Sequence, residues 1–220
     1  MKFDKSYLIL ILPVALASGY WLERPFQARL GEAHSKITHL NRQSKTNIDL
    51  ACKKINGHVI RPGESFSFNR TVGPRDNEHG FVSAPTYMGN ETTNTEGGGV
   101  CLVSSLLYKA GLESGLAVLE REPHSRTIST VLPGFDATVW WGRHDMKLKN
   151  VSSEPIKIHC NADFYNVGIE FFGQKNAPIH QIVRREKPAS PTQVAVTVSL
   201  QTGDKLQQIS NDLYDKSVHR

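Results

Sequence analysis

Three consecutive glycines, Gly97, Gly98 and Gly99, run directly into a segment whose apolar residues Val103, Leu106, Leu107 and Ala110 fall at i, i+3, i+4 and i+7. That spacing gathers the apolar side chains on one face of a helix, and the face must be buried against another element. Glycines admit crowded or left-handed backbone that other residues resist, so the run reads as a tight entry into the helix. Gly111 or Gly115 offers a stop. Beyond it the chain alternates short apolar runs with Gly, Asn and Ser turns. Strands are expected at 128–132, 137–141, 146–149, 156–160 and 167–172, as in an antiparallel meander. Helices early and strands late predict a single α+β domain with helices packed against a mostly antiparallel sheet.

The segment before the glycines is less regular. A short helix is expected from Asn47 as N-cap through Ile48, Ala51, Cys52 and Ile55, with Gly57 as its stop. Phe66 and Phe68 alternate with Ser65 and Ser67, the period of a half-buried strand. Residues 73–99 are rich in Gly, Asn, Thr and Pro and read as a long functional loop. From Pro188 onward the composition turns polar; 194–200 could add a strand, and the rest reads as a mobile tail.

The first 22 residues carry a different signal. Lys2 and Lys5 precede an apolar run, and Ala15-Leu16-Ala17 has the small-x-small pattern of a signal-peptidase site. The run at 7–22 is 16 residues, short of the roughly 20 that span a bilayer comfortably. An export signal or a short N-terminal membrane anchor is expected, which places the rest outside the cytoplasm. The organisation then reads as 1–22 signal or anchor, 23–46 polar lead-in, 47–187 globular domain and 188–220 tail.

The net charge of +5 is spread along the chain without a basic run of five, and no nucleic-acid module signature appears, so nucleic acid is set aside. Three cysteines, Cys52, Cys101 and Cys160, rule out a dense disulfide framework. At most one disulfide could form, between Cys52 and Cys160 for example. The apolar spacing puts Cys52 on the core side of its helix. Cys101 falls in the first turn after the glycines and ~160° from Val103 at ~100° per residue, away from the apolar stripe.

That position favours chemistry. A helix N-terminus carries partial positive charge and unpaired N–H groups, which stabilise a thiolate and can hold an oxyanion. A thiolate nucleophile needs a base oriented by a third polar group. His124, stiffened by Pro123, is the best base among nine histidines, and Asp136 is the candidate orienting group. The two come together only if the strands flanking Pro133-Gly134 pair in a suitable register. A packed cysteine, a turn histidine and a capping aspartate are the alternatives. His144, His159, Cys160 and His180 lack HxxxH or CxxC ligand spacing, so no metal and no cofactor is called for.

At this point the sequence resembles the VanW family over roughly residues 41–173. The resemblance rests on Asn47-Ile48-Asp49-Leu50-Ala51, Pro62-Gly63-Glu64-Ser65-Phe66-Ser67-Phe68-Asn69, Val72-Gly73-Pro74-Arg75, Gly97-Gly98-Gly99-Val100-Cys101, Glu120-Arg121, His124-Ser125 and Asp136-Ala137-Thr138-Val139 in that order. It implies work in the bacterial cell envelope, on or near peptidoglycan, in a setting of vancomycin resistance. Leu102 departs from the glutamine usual after the cysteine, and Thr130 from a frequent tyrosine. The expected function is a cysteine-dependent acyl or amide transferase or hydrolase, with Cys101 as nucleophile, His124 as base and Asp136 as orienter. The alternative is a non-catalytic module that binds peptidoglycan or its precursors. Gly97, Gly98 and Gly99 would then grip the ligand through N–H groups, with Arg75, Arg121 and Arg126 pairing its carboxylates or phosphates. A structural partner of envelope enzymes is a third option.

Overall fold

The structure, a computed structural model, describes residues 24–88 and 91–216. The expected signal or anchor at 1–22 lies outside the described residues. Strand β1 (Ala28–Lys36) leads into helix α1 (Arg42–Ile55), then β2 (Val59–Ile60), β3 (Ser65–Ser67) and the short α2 (Phe68–Val72). A hairpin of β4 (Ser83–Met88) and β5 (Glu91–Glu96) precedes helix α3 (Val100–Glu113). Strands β6 (Ala117–Glu120), β7 (Lys147–Lys149), β8 (Ile156–Ala162) and β9 (Asn166–Gly173) follow, and then β10 (His180–Ser190), β11 (Gln193–Thr202) and β12 (Lys205–Asp215).

Every strand pairing is antiparallel, in sheets ordered β1-β9-β8-β2, β10-β11-β12 and β3-β7-β6, with β4-β5 as a separate ribbon. The domain is single and mostly antiparallel sheet, with few helices. The balance therefore lies further toward strands than the expected α+β layout. Helix α3 lies against β1 and β9, and α1 against β8. The stripe Val103, Leu106, Leu107 and Ala110 is buried, as its periodicity requires. Burying each such large side chain contributes about 1.5–3 kcal/mol.

Several elements differ from the sequence expectation. Helix α1 begins at Arg42, capped by the Asn41 side chain, which accepts the Ser44 N–H at 2.8 Å; Asn47 is not its cap. The buried face of α1 runs through Ser44, Asn47, Ile48, Ala51, Cys52 and Ile55. Two of its members are polar, which hides the first turns of the stripe. Residues 23–46 are not a lead-in, because β1 pairs with β9 along its length. The strand faces α3 with small residues: a Cβ on Gly31 would stand 2.5 Å from the Ala110 carbonyl. Small size, needed for that approach, conceals a strand from any count of large apolar residues.

The 73–99 stretch is not one loop but a 3₁₀ turn followed by the β4–β5 hairpin, whose Thr86 and Thr95 hydroxyls meet at 2.7 Å. Residues 128–132 and 137–141 are not strands; they make only the isolated pairings Ile128↔Val131, Glu122↔Thr138 and Trp140↔His144. At 137 the backbone bonds go to α3 instead. Ser105 Oγ accepts the Ala137 N–H at 2.9 Å and Ser104 Oγ donates to the Ala137 carbonyl at 2.6 Å. Both serines are fully buried. Residues 188–216 are not a tail. They form the second half of the β10–β12 meander, with Val194, Val196, Val198 and Tyr214 buried.

Candidate active site

Cys101 is the second residue of α3 and half-buried. Its Sγ donates to the Val139 carbonyl at 3.7 Å, a long, weak contact, and sits beside the His124 side chain, near enough for the two to shift each other's pKa. The Val100 and Leu102 N–H groups turn back onto Gly97 and Gly99 carbonyls, at 3.2 and 3.1 Å. The Cys101 N–H has no acceptor among the described residues. An unpaired donor at the positive end of a helix, beside a thiol, suits a developing oxyanion.

The imidazole is held from its other side. His124 Nδ1 lies 2.9 Å from Asp136 Oδ2, and the His124 backbone N–H donates to the same oxygen at 2.6 Å. With Nδ1 committed, Nε2 is the nitrogen free for the thiol. Asp136 is 1% exposed. Its Oδ1 accepts from Tyr214 Oη at 2.7 Å, from Arg121 Nη2 at 3.0 Å and from the Gly134 N–H at 3.3 Å. Arg121 also donates from Nε to the Asp136 carbonyl at 2.6 Å, and its cation lies 5.1 Å from the centre of the Tyr108 ring.

The charges follow from these contacts. Burial opposes ionisation of Cys101, but the His124 hydrogen bond and charge, the Val139 contact and the Arg75 cation outweigh it and lower the thiol below its ordinary value. Burial likewise opposes protonation of His124, and the bonds to Asp136 and Cys101 overcome it, raising the imidazole to about 9. Burial would raise Asp136, yet the His124 hydrogen bond and the Arg121 cation hold it down to about 2. A lowered thiol beside a raised imidazole favours the thiolate–imidazolium pair near neutral pH.

The thiol and imidazole open onto a cleft of about 850 Å³. Its wall joins the start of α3, the β4–β5 ribbon and the 138–141 segment, where Trp140 and Trp141 are exposed. Arg75 lies on the same wall. Its Nη1 donates to the Gly73 carbonyl at 2.9 Å, its Nη2 is buried without a partner among the described residues, and its cation lies 5.8 Å from the Trp141 ring centre. Burial lowers the Arg75 pKa, with the Cys101 and Asp145 charges acting against that.

Cys101, His124 and Asp136 thus come together, though not through the hairpin on which the sequence argument depended. Gly97, Gly99 and Arg75 reach the cleft. Gly98 does not line it: a Cβ there would stand 2.3 Å from the Ala84 carbonyl, and its own carbonyl accepts from Asn47 Nδ2 at 3.0 Å. Arg121 does not reach that cleft either, because its guanidinium is spent on Asp136, Asp212 and Tyr214. The Arg126 backbone makes an isolated parallel β-pairing with Asp215. Among the described residues no three His, Cys, Asp or Glu side chains gather as a metal would need; His159 pairs with Glu170 and His180 with Thr202. Cys52 and Cys160 form no disulfide and are both buried; the nearby Cys52 and burial raise the Cys160 pKa. No helix among the described residues is long and apolar enough to cross a membrane.

Sequence reasoning missed Asn47, which fixes the base of the ribbon through Val82 and Gly98, and it missed Asp212 and Tyr214. The alternating valines of β11 were the available signal for the last two.

The VanW like protein family matches residues 43–172. The uncharacterized protein YoaR of Bacillus subtilis is 40% identical over 132 residues, covering 60% of this chain and 44% of that protein. The Vancomycin B-type resistance protein VanW of Enterococcus faecalis is 31% identical over 134 residues, covering 59% of this chain and 49% of that protein. The match thus spans less than half the length of either relative. No solved structure matches.

Proposed function

The chain belongs to the VanW-like family, and from that premise we propose that it is a cysteine-dependent acyl or amide transferase or hydrolase acting on cell-wall peptides outside the cytoplasm. The observation that carries the reading is the His124 imidazole, shared between the Cys101 thiol and the buried Asp136 carboxylate at the floor of a cleft. In the reaction, the Cys101 thiolate attacks a carbonyl carbon, and an S–C bond forms. The carbonyl oxygen takes the negative charge beside the Cys101 N–H. The imidazolium gives its proton to the departing amine as the C–N bond breaks. Water or a second amine then attacks the thioester, with His124 taking the incoming proton, and the thiolate leaves. Asp136 keeps the ring oriented throughout.

The setting in the cell envelope, the link to glycopeptide resistance and a secreted or N-terminally anchored state belong to the same proposal. The resistance link is supported by the likeness to the Vancomycin B-type resistance protein VanW of Enterococcus faecalis. The test is incubation of the full chain with peptidoglycan fragments, followed by intact-mass analysis of the protein and chromatography of the fragments. A thioester on Cys101 and new fragments, both absent in Cys101→Ser, are expected. Unchanged fragments and an unmodified thiol would refute catalysis.

Leu102 and the partnerless Arg75 Nη2 favour a second reading, a non-catalytic module that binds peptidoglycan or its precursors. An apolar side chain cannot supply the hydrogen bond that a glutamine would offer there. In that case Cys101→Ser binds fragments as well as the wild type does, and Arg75→Ala does not.

A further inference from the structure

Two residues of β12, Tyr214 and Asp212, lie outside the family match at 43–172 yet end on the side chains that hold His124. Tyr214 Oη donates to Asp136 Oδ1 at 2.7 Å and accepts the Gly134 N–H at 2.8 Å. Arg121 Nη2 donates to the same hydroxyl at 2.9 Å, and Arg121 Nη1 reaches Asp212 Oδ2 at 2.5 Å. Tyr214 is fully buried, and the Arg121 side chain is 4% exposed. The backbone is tied at the same place: the Asp215 N–H donates to the Ser125 carbonyl at 3.0 Å, and the Thr127 N–H to the Asp215 carbonyl at 2.9 Å. These last bonds flank His124 on its C-terminal side.

We infer that Tyr214 and Asp212 are positioning residues of the active site, so that the C-terminal sheet β10–β12 completes a catalytic centre whose reacting groups all lie in the family-matched region. The inference rests on the Cys101–His124–Asp136 reading. Its physical content is specific. A carboxylate can rotate about its Cβ–Cγ bond, and only one setting presents Oδ2 to both His124 donors. The Tyr214 hydroxyl holds Oδ1 in that setting. Asp212 balances the Arg121 cation, which would otherwise draw Asp136 charge away from the imidazole. The charged and titratable groups facing Asp136 and His124 are Cys101 and Tyr108 from α3, Arg121 after β6, and Asp212 and Tyr214 from β12. Arg121, expected from the sequence to touch ligand, becomes a link between the sheet and the site. A merely structural sheet would be served by apolar contacts at this interface. Burying a tyrosine hydroxyl and an ion pair there is costly unless their direction matters.

The test uses the full chain with Tyr214→Phe and Asp212→Asn, the first preserving the ring and the second the shape. The proton resonance of His124 Nδ1 reports the bond to Asp136 whether or not Cys101 reacts. The pH profile of Cys101 alkylation by iodoacetamide, read on the Cys101 peptide by mass spectrometry, reports the thiolate. Both variants should move or broaden the Nδ1 resonance. Both should shift the alkylation midpoint to higher pH, slowing the reaction at least about threefold at pH 6 and leaving the high-pH rate unchanged. A resonance and a profile that match the wild type in both variants, with only the melting temperature lowered, would overturn the inference. A wild-type thiol indifferent to His124→Ala would count against the proposed function instead; a moved Nδ1 resonance in Tyr214→Phe would still support the positioning role.

Discussion

His124 makes two hydrogen bonds to one oxygen of Asp136, from its ring Nδ1 at 2.9 Å and from its own backbone N–H at 2.6 Å. The pair of bonds ties ring and main chain to a common point. It leaves the ring little freedom to turn and directs Nε2 at the Cys101 thiol.

His124→Ala removes the cation that stabilises the Cys101 thiolate. Alkylation of Cys101 by iodoacetamide at pH 6 should fall by about tenfold, the scale of a one-unit rise in thiol pKa. Cys101→Ser should remove that reaction and leave the melting temperature within a few degrees of wild type, since the thiol is only half-buried. Mass spectrometry of the Cys101 peptide and thermal melts read the two outcomes. An inert thiol in both the wild type and His124→Ala, together with a large stability loss in Cys101→Ser, would make the cysteine a packing residue.

The pH dependence of stability follows from opposing shifts. His124 is raised from an ordinary 6.5 to about 9, so its contribution is complete below pH 6.5 and is lost as pH rises through about 9. Cys101 is lowered from an ordinary 9.0, so its contribution is complete above pH 9 and is lost as pH falls through its folded value. Above pH 6.5 the two slopes oppose each other in the wild type. Cys101→Ser keeps only the histidine side, reduced because the thiolate no longer supports the imidazolium, so its stability should decline more steeply with rising pH above 6.5 than that of the wild type. Asp136, held down to about 2, adds no slope until strongly acid pH, where its contribution is lost. Denaturant melts at pH 6, 7.5 and 9 check the contrast.

The partnerless Arg75 Nη2 on the cleft wall should favour anionic reagents at Cys101. The ratio of iodoacetate to iodoacetamide alkylation rates should drop at least about threefold in Arg75→Ala, the charge preference expected of a desolvated cation. Gly97→Ala should act in the same direction. Its φ is +78°, and an added Cβ would stand 2.6 Å from Arg75 Cβ, so the arginine must shift. An unchanged ratio in both variants would remove Arg75 from ligand binding.

Asn47 accepts the Val82 N–H at 2.9 Å and donates to the Val82 and Gly98 carbonyls at 2.9 and 3.0 Å. Asn47→Ala strands buried backbone groups at the base of the ribbon. At about 1–3 kcal/mol for each unsatisfied group, a loss of about 3 kcal/mol in denaturant melts is expected. Asn47→Asp keeps the acceptor but turns a buried carboxyl oxygen toward the Val82 and Gly98 carbonyls, so it should lose at least as much stability as Ala.

The unit formed by the glycine run and α3 was legible because periodicity and glycine chemistry agree there, and both act locally. The three reacting side chains were legible as types. Their meeting was not, since it depends on Ser104 and Ser105 capturing the Ala137 peptide across the core. That capture turns an apolar run that reads as a strand into a segment pinned to a helix. β1 escaped notice because its core contacts need Gly31 and Ala33, residues too small to register as apolar. The β12 residues escaped because Tyr214 and Asp212 sit in a polar stretch, and their partners lie 78 and 91 positions away in the chain. Long-range polar bonds leave no periodic trace.

Cys101, His124, Asp136, Arg121 and Asp212 form a row of charges of alternating sign, anion at each end. The row carries a net charge of −1, and at these short separations its own members set the field at the thiol more strongly than the +5 of the chain as a whole. Counter-ions in the medium have little purchase on it either, because its members are mostly buried. Reactivity toward a neutral reagent should therefore hold nearly constant from low to high salt, while the preference for an anionic one, to which Arg75 at the cleft wall contributes, should fade as salt is added.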